Sequence, residues 1–312
     1  MNFPVDAVIT WVDGSDPAHA ARMREFGAEV SFSEEDVAGS TRFASIGEIY
    51  WCVESIRRFA PFIRTIYIVT DGQDPGIPEG NIPVKIIDHK VIFRGYEKYL
   101  PVFNSIAIET MTWRIPGLAE HYVEFNDDFM LCAPVSVMDF FAPDGAPVCY
   151  ASFRSIPLTR FTRAIKKSEN GHRKVTFKGM MVNGAVRAGA RMRYLKLDHT
   201  PRALLRSFFD RWYELYPEDM LHNISFRFRD ASQFSSEELQ YVYLNKRKQL
   251  IILPVSGRLF YMEPKDKKDY IPRKMKLLKN GSYKFCCFNS LDKASQEEAA
   301  PVIEWINNTL SR

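Results

Sequence analysis

Two kinds of hydrophobic pattern alternate along the first part of the chain. Short apolar runs rich in β-branched residues, typical of buried strands, fall at 6–12, 65–70, 84–88 and 122–125. Between them, apolar residues recur at helical spacing over 46–59 and over 105–114. Ser45 is the expected N-cap of the first helix, with Glu48 completing a capping box. This alternation predicts an α/β fold with a doubly wound, mostly parallel, Rossmann-like sheet.

The second half of the chain begins with a strongly basic pattern. Turn residues are mixed with eight lysines and arginines over 154–178, and we expect a basic, mobile insertion or lid at 151–190. Later elements are predicted as helices at 202–216 and 237–244, a strand at 250–255, and a terminal helix at 301–310 with Pro301 in its first turn. The expected architecture is one domain over 1–312 with a helical C-terminal part.

Acidic side chains stand at the carboxyl ends of three predicted strands. They are Asp13, Asp71 and the adjacent pair Asp127 and Asp128. Ligands of doubly wound sheets bind outside the carboxyl ends of the strands, so these carboxylates indicate a site at one sheet edge. A single carboxylate in such a place is more often part of a loop turn, but the coincidence of three weakens that alternative.

Composition and charge exclude several classes of protein. A chain with 46% hydrophobic and 26% charged residues is an ordinary globular protein rather than a disordered one. The net charge of +4 is too small to predict nucleic-acid binding, and no apolar run reaches the ~18–20 residues that span a bilayer. The first residues lack a signal-peptide pattern. Five cysteines without C-x-x-C spacing predict neither a disulfide framework nor a zinc site, so we expect a cytoplasmic protein with reduced thiols.

Three groups of residues have side chains suited to chemistry on phosphates. Asp127 and Asp128 offer the hard oxygen ligands that Mg²⁺ (or Mn²⁺) prefers. His199, which precedes a predicted helix, has a pKa range suited to a general base, although a capping or surface histidine is the commoner role. Arg227 and Arg229 alternate with phenylalanines. On a strand they would share one face and stabilise a phosphate.

Taken together, these segments resemble the Stealth proteins. That family comprises bacterial capsular polysaccharide phosphotransferases related to the lysosomal-enzyme N-acetylglucosamine-1-phosphotransferase alpha/beta subunit. The first block of the family resembles 6–17, the second resembles 42–48, 55–56, 59–61 and 66–73, and the third resembles 100–105, 107–109, 114–118 and 125–128. Shorter matches are a His-x-Pro element at 199–201, an arginine block from 227, and a closing segment at 285–289. Ser290 stands where the family usually has aspartate.

The resemblance covers nearly the whole chain and implies a single Stealth-type catalytic domain with a GT-A-like sheet. It also implies a phosphotransferase of capsule or exopolysaccharide synthesis. Such an enzyme moves a sugar 1-phosphate from a nucleotide diphosphate sugar, such as UDP-GlcNAc, to a hydroxyl of a glycan or polysaccharide acceptor. The product is a phosphodiester, nucleoside monophosphate leaves, and Mg²⁺ (or Mn²⁺) is the implied cofactor.

The resemblance and the residue types together suggest a role for each candidate residue. In the catalytic set, Asp127 and Asp128 act at the metal or the acceptor hydroxyl, His199 is the general base, and Arg229 stabilises phosphate charge. Asn289 joins Asp128 at the metal. The expected substrate-binding set is Trp11, Asp13, Gly14 and Asp16 around the nucleotide, Arg42 and Arg227 at phosphates, and Asn104, Ser105 and Glu109 at hydroxyls.

Two other functions are compatible with the same residues. A metal-dependent glycosyltransferase of GT-A type would use the same aspartates but attack the anomeric carbon and release nucleoside diphosphate. A glycan- or nucleotide-binding protein with a degenerate site would bind without turnover. The basic residues of 154–178 would suit a polyanionic acceptor. Those of 265–279 would suit an anionic membrane surface, so peripheral association with the inner face of the cytoplasmic membrane or with capsule machinery is a further expectation.

Overall fold

The computed structural model describes residues 3–27, 47–165, 175–264 and 269–311. In chain order, its strands are β1 (Val5–Thr10), β2 (Ile63–Thr70), β3 (Val84–Asp88), β4 (His121–Asn126), β5 (Phe129–Leu131), β6 (Val148–Ser155), β7 (Arg193–Leu197), β8 (Arg202–Leu205), β9 (Ile251–Leu253), β10 (Leu259–Met262) and β11 (Phe285–Phe288). Its α-helices are α1 (Pro17–Gly27), α2 (Glu48–Phe59), α3 (His89–Ile92), α4 (Ser105–Glu109), α5 (Ile156–Ile165), α6 (Phe177–Arg187), α7 (Arg206–Leu215), α8 (Pro217–Ile224), α9 (Ser236–Lys246), α10 (Tyr270–Asn280) and α11 (Gln296–Ser311).

The central sheet has five strands in the order β3-β2-β1-β4-β8. The first four are parallel, and β8 joins antiparallel to β4 at the edge. Side chains alternate between the two faces, as they must on a strand. Ala7 and Ile9 of β1 pack in the cluster that includes α2, whereas Val8 packs in the cluster that includes α6, α7 and α9. Helices therefore cover both faces, which confirms the predicted α/β class with a doubly wound, mostly parallel sheet.

Two three-stranded sheets flank the central one, with the orders β10-β11-β5 and β7-β6-β9. In the first, β11 lies antiparallel to β5, which is separated from the end of β4 by two residues. Helices α10 and α11 share a separate hydrophobic cluster with these strands, including Phe260, Met275 and Val302. The C-terminal part of the chain thus places β11 next to the carboxyl end of β4.

One prediction for the first half of the chain is corrected by the structure, and another falls outside it. Helix α2 is preceded by Gly47, which lies in the left-handed region at φ 102°. Ser45, the predicted cap, lies outside the described residues. The helix predicted at 105–114 is shorter: α4 ends at Glu109, and a separate 3₁₀ turn follows at Thr112–Arg114.

Two predictions for the second half are also corrected. The start of the helix predicted at 202–216 is the strand β8, because these residues pair with His121–Glu124 of β4 and only the following residues form α7. The terminal helix starts earlier than predicted, at Gln296, so Pro301 lies inside α11 rather than in its first turn.

The predicted basic insertion at 151–190 contains regular structure. Its first residues complete β6, and its later part forms α6, whose Met180, Met181 and Ala185 are buried in the main core. Phe177–Arg187 is therefore a helix packed in the main core. The stretch 166–174 lies outside the described residues, and the insertion or lid predicted at 151–190 stays a prediction.

Gly184 allows α6 to pack closely against the start of α9. A Cβ atom at this position would lie 2.5 Å from the backbone oxygen of Ser235 and 3.2 Å from the nitrogen of Leu239. Because both are backbone atoms, we expect Gly184→Ala to lower the free energy of unfolding by about 1–3 kcal/mol in urea denaturation. Val186→Ala, at an exposed position of the same helix, is the control and should change it by less than about 0.5 kcal/mol. Equal effects of the two substitutions would contradict the packing argument.

Candidate active site

The acidic pair that follows β4 is joined to the C-terminal strand. Asp128 Oδ2 accepts hydrogen bonds from Cys287 Sγ and from Asn289 Nδ2, each at 3.3 Å. The backbone oxygen of Asp128 also accepts from the nitrogen of Phe288 at 3.3 Å. The pairing of β5 with β11 thus brings together Asp128 and Asn289, the two predicted metal ligands.

Both carboxylates of the pair lie in a desolvated, negatively charged environment. Burial, together with the carboxylates of Asp128 and Glu48, raises the pKa of Asp127 to about 8. Burial also raises the pKa of Asp128, an effect that the hydrogen bonds from Cys287 and Asn289 partly offset. Neighbouring carboxylates of this kind are stabilised by a proton or by a cation.

The donor set at this strand end fits a hard divalent cation. Asp127 and Asp128 supply carboxylate oxygens, which are the ligands that Mg²⁺ accepts. The side chain of Asn289 is held by Ser290 Oγ, which donates to its Oδ1 at 2.9 Å. Ser290, which replaces the family's usual aspartate, thus orients Asn289 and adds no carboxylate.

The loop after β1 is fixed by Gln73 from the loop after β2. The backbone nitrogen of Asp13 donates to Gln73 Oε1 at 2.8 Å, and Gln73 Nε2 donates to the Asp13 oxygen at 3.0 Å and to Asp16 Oδ2 at 2.9 Å. Asp13 Oδ1 also accepts from the nitrogen and hydroxyl of Ser15. Gly14 lies inside this turn, and the half-buried Trp11 packs at its start against the core. The predicted nucleotide residues therefore form one ordered loop at the sheet edge.

Asp71, the third acidic strand end, is already neutralised within the fold. It lies 2.8 Å from Arg22 Nη2 and 3.6 Å from the Nδ1 of buried His19. The hydrogen bond from His19 and the contact with Arg22 lower the pKa of Asp71 to about 2. Burial lowers the pKa of the neighbouring His89 to about 4. This carboxylate fastens α1 to the sheet, so only two of the three acidic strand ends remain candidates for ligand binding.

His199 lies beside the strand that continues from the acidic pair. Its ring centroid is 4.6 Å from that of Tyr261, and its ring meets Phe129 edge-on at 6.4 Å. It precedes the strand β8, not the helix expected from the sequence. Partial desolvation, together with the guanidinium of Arg202, lowers the pKa of His199. An exposed imidazole with a lowered pKa is neutral at pH 7, which is the state that a general base requires.

The segment with Arg227 and Arg229 is a loop, which corrects the expectation of a strand with both arginines on one face. Arg227 Nη1 donates to the oxygen of Pro101 at 2.8 Å, and its guanidinium lies 4.7 Å from the ring centre of Phe26. The buried amide of Asn104 donates to the oxygens of Phe226 and Phe228, both at 3.1 Å, and to Gln233 Oε1 at 2.9 Å. These contacts occupy Asn104 and Arg227 in holding the loop against α4.

Arg229 contacts the first residue of α4. Its Nη2 donates to Ser105 Oγ at 2.7 Å. Its charge also acts on the carboxylate of Glu109, which is hydrogen-bonded to Ser105. The structure therefore brings together Ser105, Glu109 and Arg229, three residues that the sequence placed among the site candidates.

Behind Glu109 lies a buried cluster of charges that sequence reasoning missed. Glu109, Glu124 and Glu237 each place one carboxylate oxygen within 4.8 Å of the others. Arg202 Nη1 lies 2.7 Å from Glu237 Oε1 and 3.9 Å from Glu124 Oε1. Among the described residues, these three acids are the group whose oxygens converge closely, and Arg202 already supplies a positive charge to them. A metal at the Asp127 and Asp128 end stays a prediction.

Glu109 should make the stability of the fold depend on pH. Burial and the nearby Glu237 raise the pKa of Glu109 to about 7 from its ordinary value of 4.5. Because the pKa of Glu109 is raised in the folded state, its contribution to stability is fully present below the pKa of the unfolded chain and is lost as the pH rises through the pKa of the folded protein. The free energy of unfolding of the wild type should therefore fall by about 3 kcal/mol between pH 4.5 and pH 8 in urea denaturation. Glu109→Gln should abolish this fall. The exposed Glu214→Gln is the control and should keep the pH dependence of the wild type.

Some predicted residues are not placed by the structure, and others were not foreseen. Arg42 lies outside the described residues. Gln73 and Arg202 carry no local signal, because both act on partners distant in the sequence. A glutamate in the middle of the apolar run 122–125 was a signal for buried charge. No helix among the described residues is long and apolar enough to cross a bilayer, and the predicted contact with a membrane surface stays a prediction.

Two conserved regions of one family match the parts of the chain that form this sheet edge. Residues 3–31 match the description "Stealth protein CR1, conserved region 1", and residues 42–149 match "Stealth protein CR2, conserved region 2". The chain belongs to the Stealth family. The first region contains the Asp13 loop, and the second contains Asp127 and Asp128, so the Stealth regions coincide with the described geometry.

Three relatives of this chain are named polysaccharide phosphotransferases. Exopolysaccharide phosphotransferase SCO6021 of Streptomyces coelicolor is 37% identical over 79% of this chain and 45% of its own length. A second relative from that organism, SCO2594, is 35% identical over 75% of the chain and 38% of its own length. The chain therefore spans less than half of these two Stealth relatives. Capsular polysaccharide phosphotransferase WcwK of Streptococcus pneumoniae is 28% identical, over 94% of this chain and 92% of its own length.

Solved structures with a related chain path include two sugar transferases. The galactosyltransferase LgtC in complex with donor and acceptor sugar analogs has a TM-score of 0.44 at 9% identity, with 98% of this Stealth chain and 95% of LgtC covered. Mouse xyloside xylosyltransferase 1 has a TM-score of 0.44 at 10% identity, with 92% of this chain and 98% of that chain covered.

Proposed function

We propose that this protein transfers a sugar 1-phosphate from a nucleotide diphosphate sugar, such as UDP-GlcNAc, to a hydroxyl of a glycan or polysaccharide acceptor. The product is a phosphodiester, and nucleoside monophosphate leaves. The observation that carries the proposal is the closed acidic strand end, where Asp128 meets Cys287 and Asn289. His199 packs against Phe129, the next residue along the chain. The names of the Stealth relatives support the same class of reaction.

The reaction needs a base, compensation of phosphate charge, and alignment of the acceptor hydroxyl with the phosphorus. Mg²⁺ held by Asp127, Asp128 and Asn289 would neutralise phosphate charge when bound. The neutral ring of His199 would take the proton of the acceptor hydroxyl as its oxygen bonds to the sugar-bearing phosphorus. Arg229 would stabilise the charge that develops as the bond to the leaving nucleoside monophosphate breaks.

The substrate-binding roles are distributed over two loops. The loop with Trp11, Asp13, Gly14 and Asp16 would hold the nucleotide, and its fixation by Gln73 supports a preformed pocket. Ser105 and Glu109 would orient the guanidinium of Arg229, since Ser105 Oγ accepts a hydrogen bond from it. We assign Asn104 and Arg227 to holding the loop that contains Arg229. This role takes the place of the direct contact with substrate that the sequence suggested.

The acceptor would be held by exposed basic side chains. A polymer joined by phosphodiesters is polyanionic, and exposed basic side chains near the insertion, such as Arg154, Arg160 and Lys178, suit such a ligand. Arg160 lies within α5 and Lys178 in the first turn of α6, and an extended acceptor would contact these side chains.

The test is the identity of the nucleotide released. Purified protein is incubated with Mg²⁺, a short glycan acceptor and a panel of nucleotide sugars that includes UDP-GlcNAc, and the nucleotides are resolved by anion exchange. We expect UMP that depends on the acceptor and is lost in Asp128→Asn and His199→Gln. Release of UDP would instead mean attack at the anomeric carbon, as in a glycosyltransferase, and would overturn the proposal.

A further comparison separates catalysis from binding. Nucleotide-sugar binding is measured by calorimetry with the same preparations. Binding without release of any nucleotide, across the whole panel of donors and acceptors, would favour a binding protein and would also overturn the proposed transfer.

A further inference from the structure

Two cysteine thiols lie in contact beside the acidic strand end. Cys286 Sγ, in β11, donates a hydrogen bond to Cys132 Sγ at 2.9 Å. Cys132 directly follows β5, and its backbone nitrogen donates to the oxygen of Lys284 at 3.0 Å, so both residues belong to the ladder between these strands. Cys286 is buried, whereas Cys132 is half-buried and reachable from solvent.

We propose that Cys132 and Cys286 form a site of reversible oxidation, where a small-molecule disulfide converts the two thiols into an intramolecular disulfide. A disulfide needs a sulfur–sulfur distance of about 2.05 Å, so the sulfurs, now 2.9 Å apart, must approach by ~0.9 Å. Strands that are already paired hold the two residues together. Folding has therefore already restricted the chain between the two cysteines, so closing the disulfide causes little further loss of chain entropy.

The order of the two exchange steps follows from exposure. The thiolate of Cys132 attacks the small disulfide, forms a mixed disulfide and releases one small thiolate. The Cys286 sulfur then attacks the Cys132 sulfur, its proton passes to the departing small thiolate, and the second small thiol is released. In total, the two cysteines lose two electrons and two protons, and the small disulfide is reduced to two thiols. Burial raises the pKa of the Cys286 thiol, which slows the second step but does not prevent it at close contact.

The other three thiols have different surroundings. Cys287 donates to Asp128 Oδ2 at 3.3 Å, and Cys52 donates to the oxygen of Asn126 at 3.7 Å. Burial raises the pKa of Cys149, which lies in the core. Among the described cysteines, the contact of one thiol with another is made by Cys132 and Cys286.

Oxidation of Cys286 would affect the proposed active site through the adjacent residue, Cys287. Cys286 and Cys287 are consecutive on β11, so their side chains point to opposite faces. Cys287 and Asn289 both contact Asp128. Pulling Cys286 towards Cys132 would rotate β11 and move these two contacts. This consequence rests on the proposed function, because it is read as a change in sugar 1-phosphate transfer.

The experiment follows the bond and the turnover separately. The protein is incubated with oxidised glutathione at pH 8, alkylated, digested without reductant, and examined by mass spectrometry for a peptide cross-linked through Cys132 and Cys286. We expect this cross-link, three of the five cysteines alkylated, and full recovery of five after dithiothreitol. A stable mixed disulfide at Cys132 without the cross-link would overturn the site.

Turnover is measured on the same samples by release of nucleoside monophosphate. We expect oxidation to lower it about fivefold, and dithiothreitol to restore it. Cys132→Ser, and Cys132→Ala as a second variant, should keep the turnover of the reduced wild type and lose the response to oxidant. Cys149→Ser is the matched control that keeps both the cross-link and the response. A cross-link that leaves turnover unchanged would overturn the coupling to Asp128. An enzyme inactive in both states would count against the proposed function, while the cross-link would still test the site.

Discussion

Replacing Asp128 with asparagine is expected to lower the rate of sugar 1-phosphate transfer about 10³-fold, which corresponds to ~4 kcal/mol of lost transition-state stabilisation. The substitution keeps the size of the side chain and an oxygen that accepts from Cys287. It removes the negative charge that would hold the metal beside the phosphates. The rate is measured as nucleoside monophosphate released per enzyme at saturating Mg²⁺.

Asp128→Asn should not weaken the fold in buffer without metal ions. Burial raises the pKa of Asp128, and its charge contributes to the raised pKa of Asp127, so the wild type carries an electrostatic cost at this position. We therefore expect the variant to unfold at the same temperature or a higher one. Asp210→Asn, at an exposed position of α7, should change neither rate nor melting temperature. A rate above a tenth of the wild-type value for Asp128→Asn would remove Asp128 from the catalytic set.

Loss of the imidazole at His199 is expected to lower the transfer rate by about 10²–10⁴-fold, the usual range for a general base. Because partial desolvation and Arg202 lower the pKa of His199, the ring is neutral throughout the neutral range. The acid limb of the wild-type rate profile should therefore lie below pH 6.5, with a plateau above it. The profile of His199→Gln should lack this limb, which distinguishes a base from a residue that only packs.

His222→Gln is the matched control for that substitution. His222 makes a hydrogen bond to the oxygen of Ser232 at 3.1 Å, and a glutamine amide retains a donor for this contact. We expect a change of less than about threefold and an unaltered acid limb. If His199→Gln and His222→Gln lost activity equally, the loss would have to be assigned to the loop that contains Arg229 rather than to proton transfer at His199.

The central sheet could be predicted because its signals are local. The run at 65–70 is largely apolar on both faces, and the run at 122–125 is apolar except for Glu124. This is expected for strands that helices cover on each side, and the structure places the two runs in the sheet as β2 and β4. The segment 202–205 was misassigned because Leu204, Leu205 and Phe208 also fit helical spacing. Pairing with β4 decides its conformation, and no window of the sequence contains that information.

The sequence predicted many residues of the candidate site, but it predicted their individual roles less well. Asp128 and Asn289 are separated by 161 positions, and the sequence could suggest their contact only through the resemblance to Stealth proteins. Asn104 was expected to meet substrate, but its amide is saturated by the backbone oxygens of a loop 122 and 124 residues away. The neutralisation of Asp71 by Arg22 and His19 depends in the same way on how α1 docks, which periodicity does not describe.

The antiparallel pairing of β5 with β11 has a consequence for the synthesis of the chain. While a ribosome is still adding residues before Phe285, the strands β1, β2, β3 and β4 are already outside, but the edge of β5 and the carboxylate of Asp128 have no partner. An unpaired strand edge is a template for association with other chains. A growing polypeptide would therefore be prone to aggregate until β11 emerges, so chaperones would matter most during that interval.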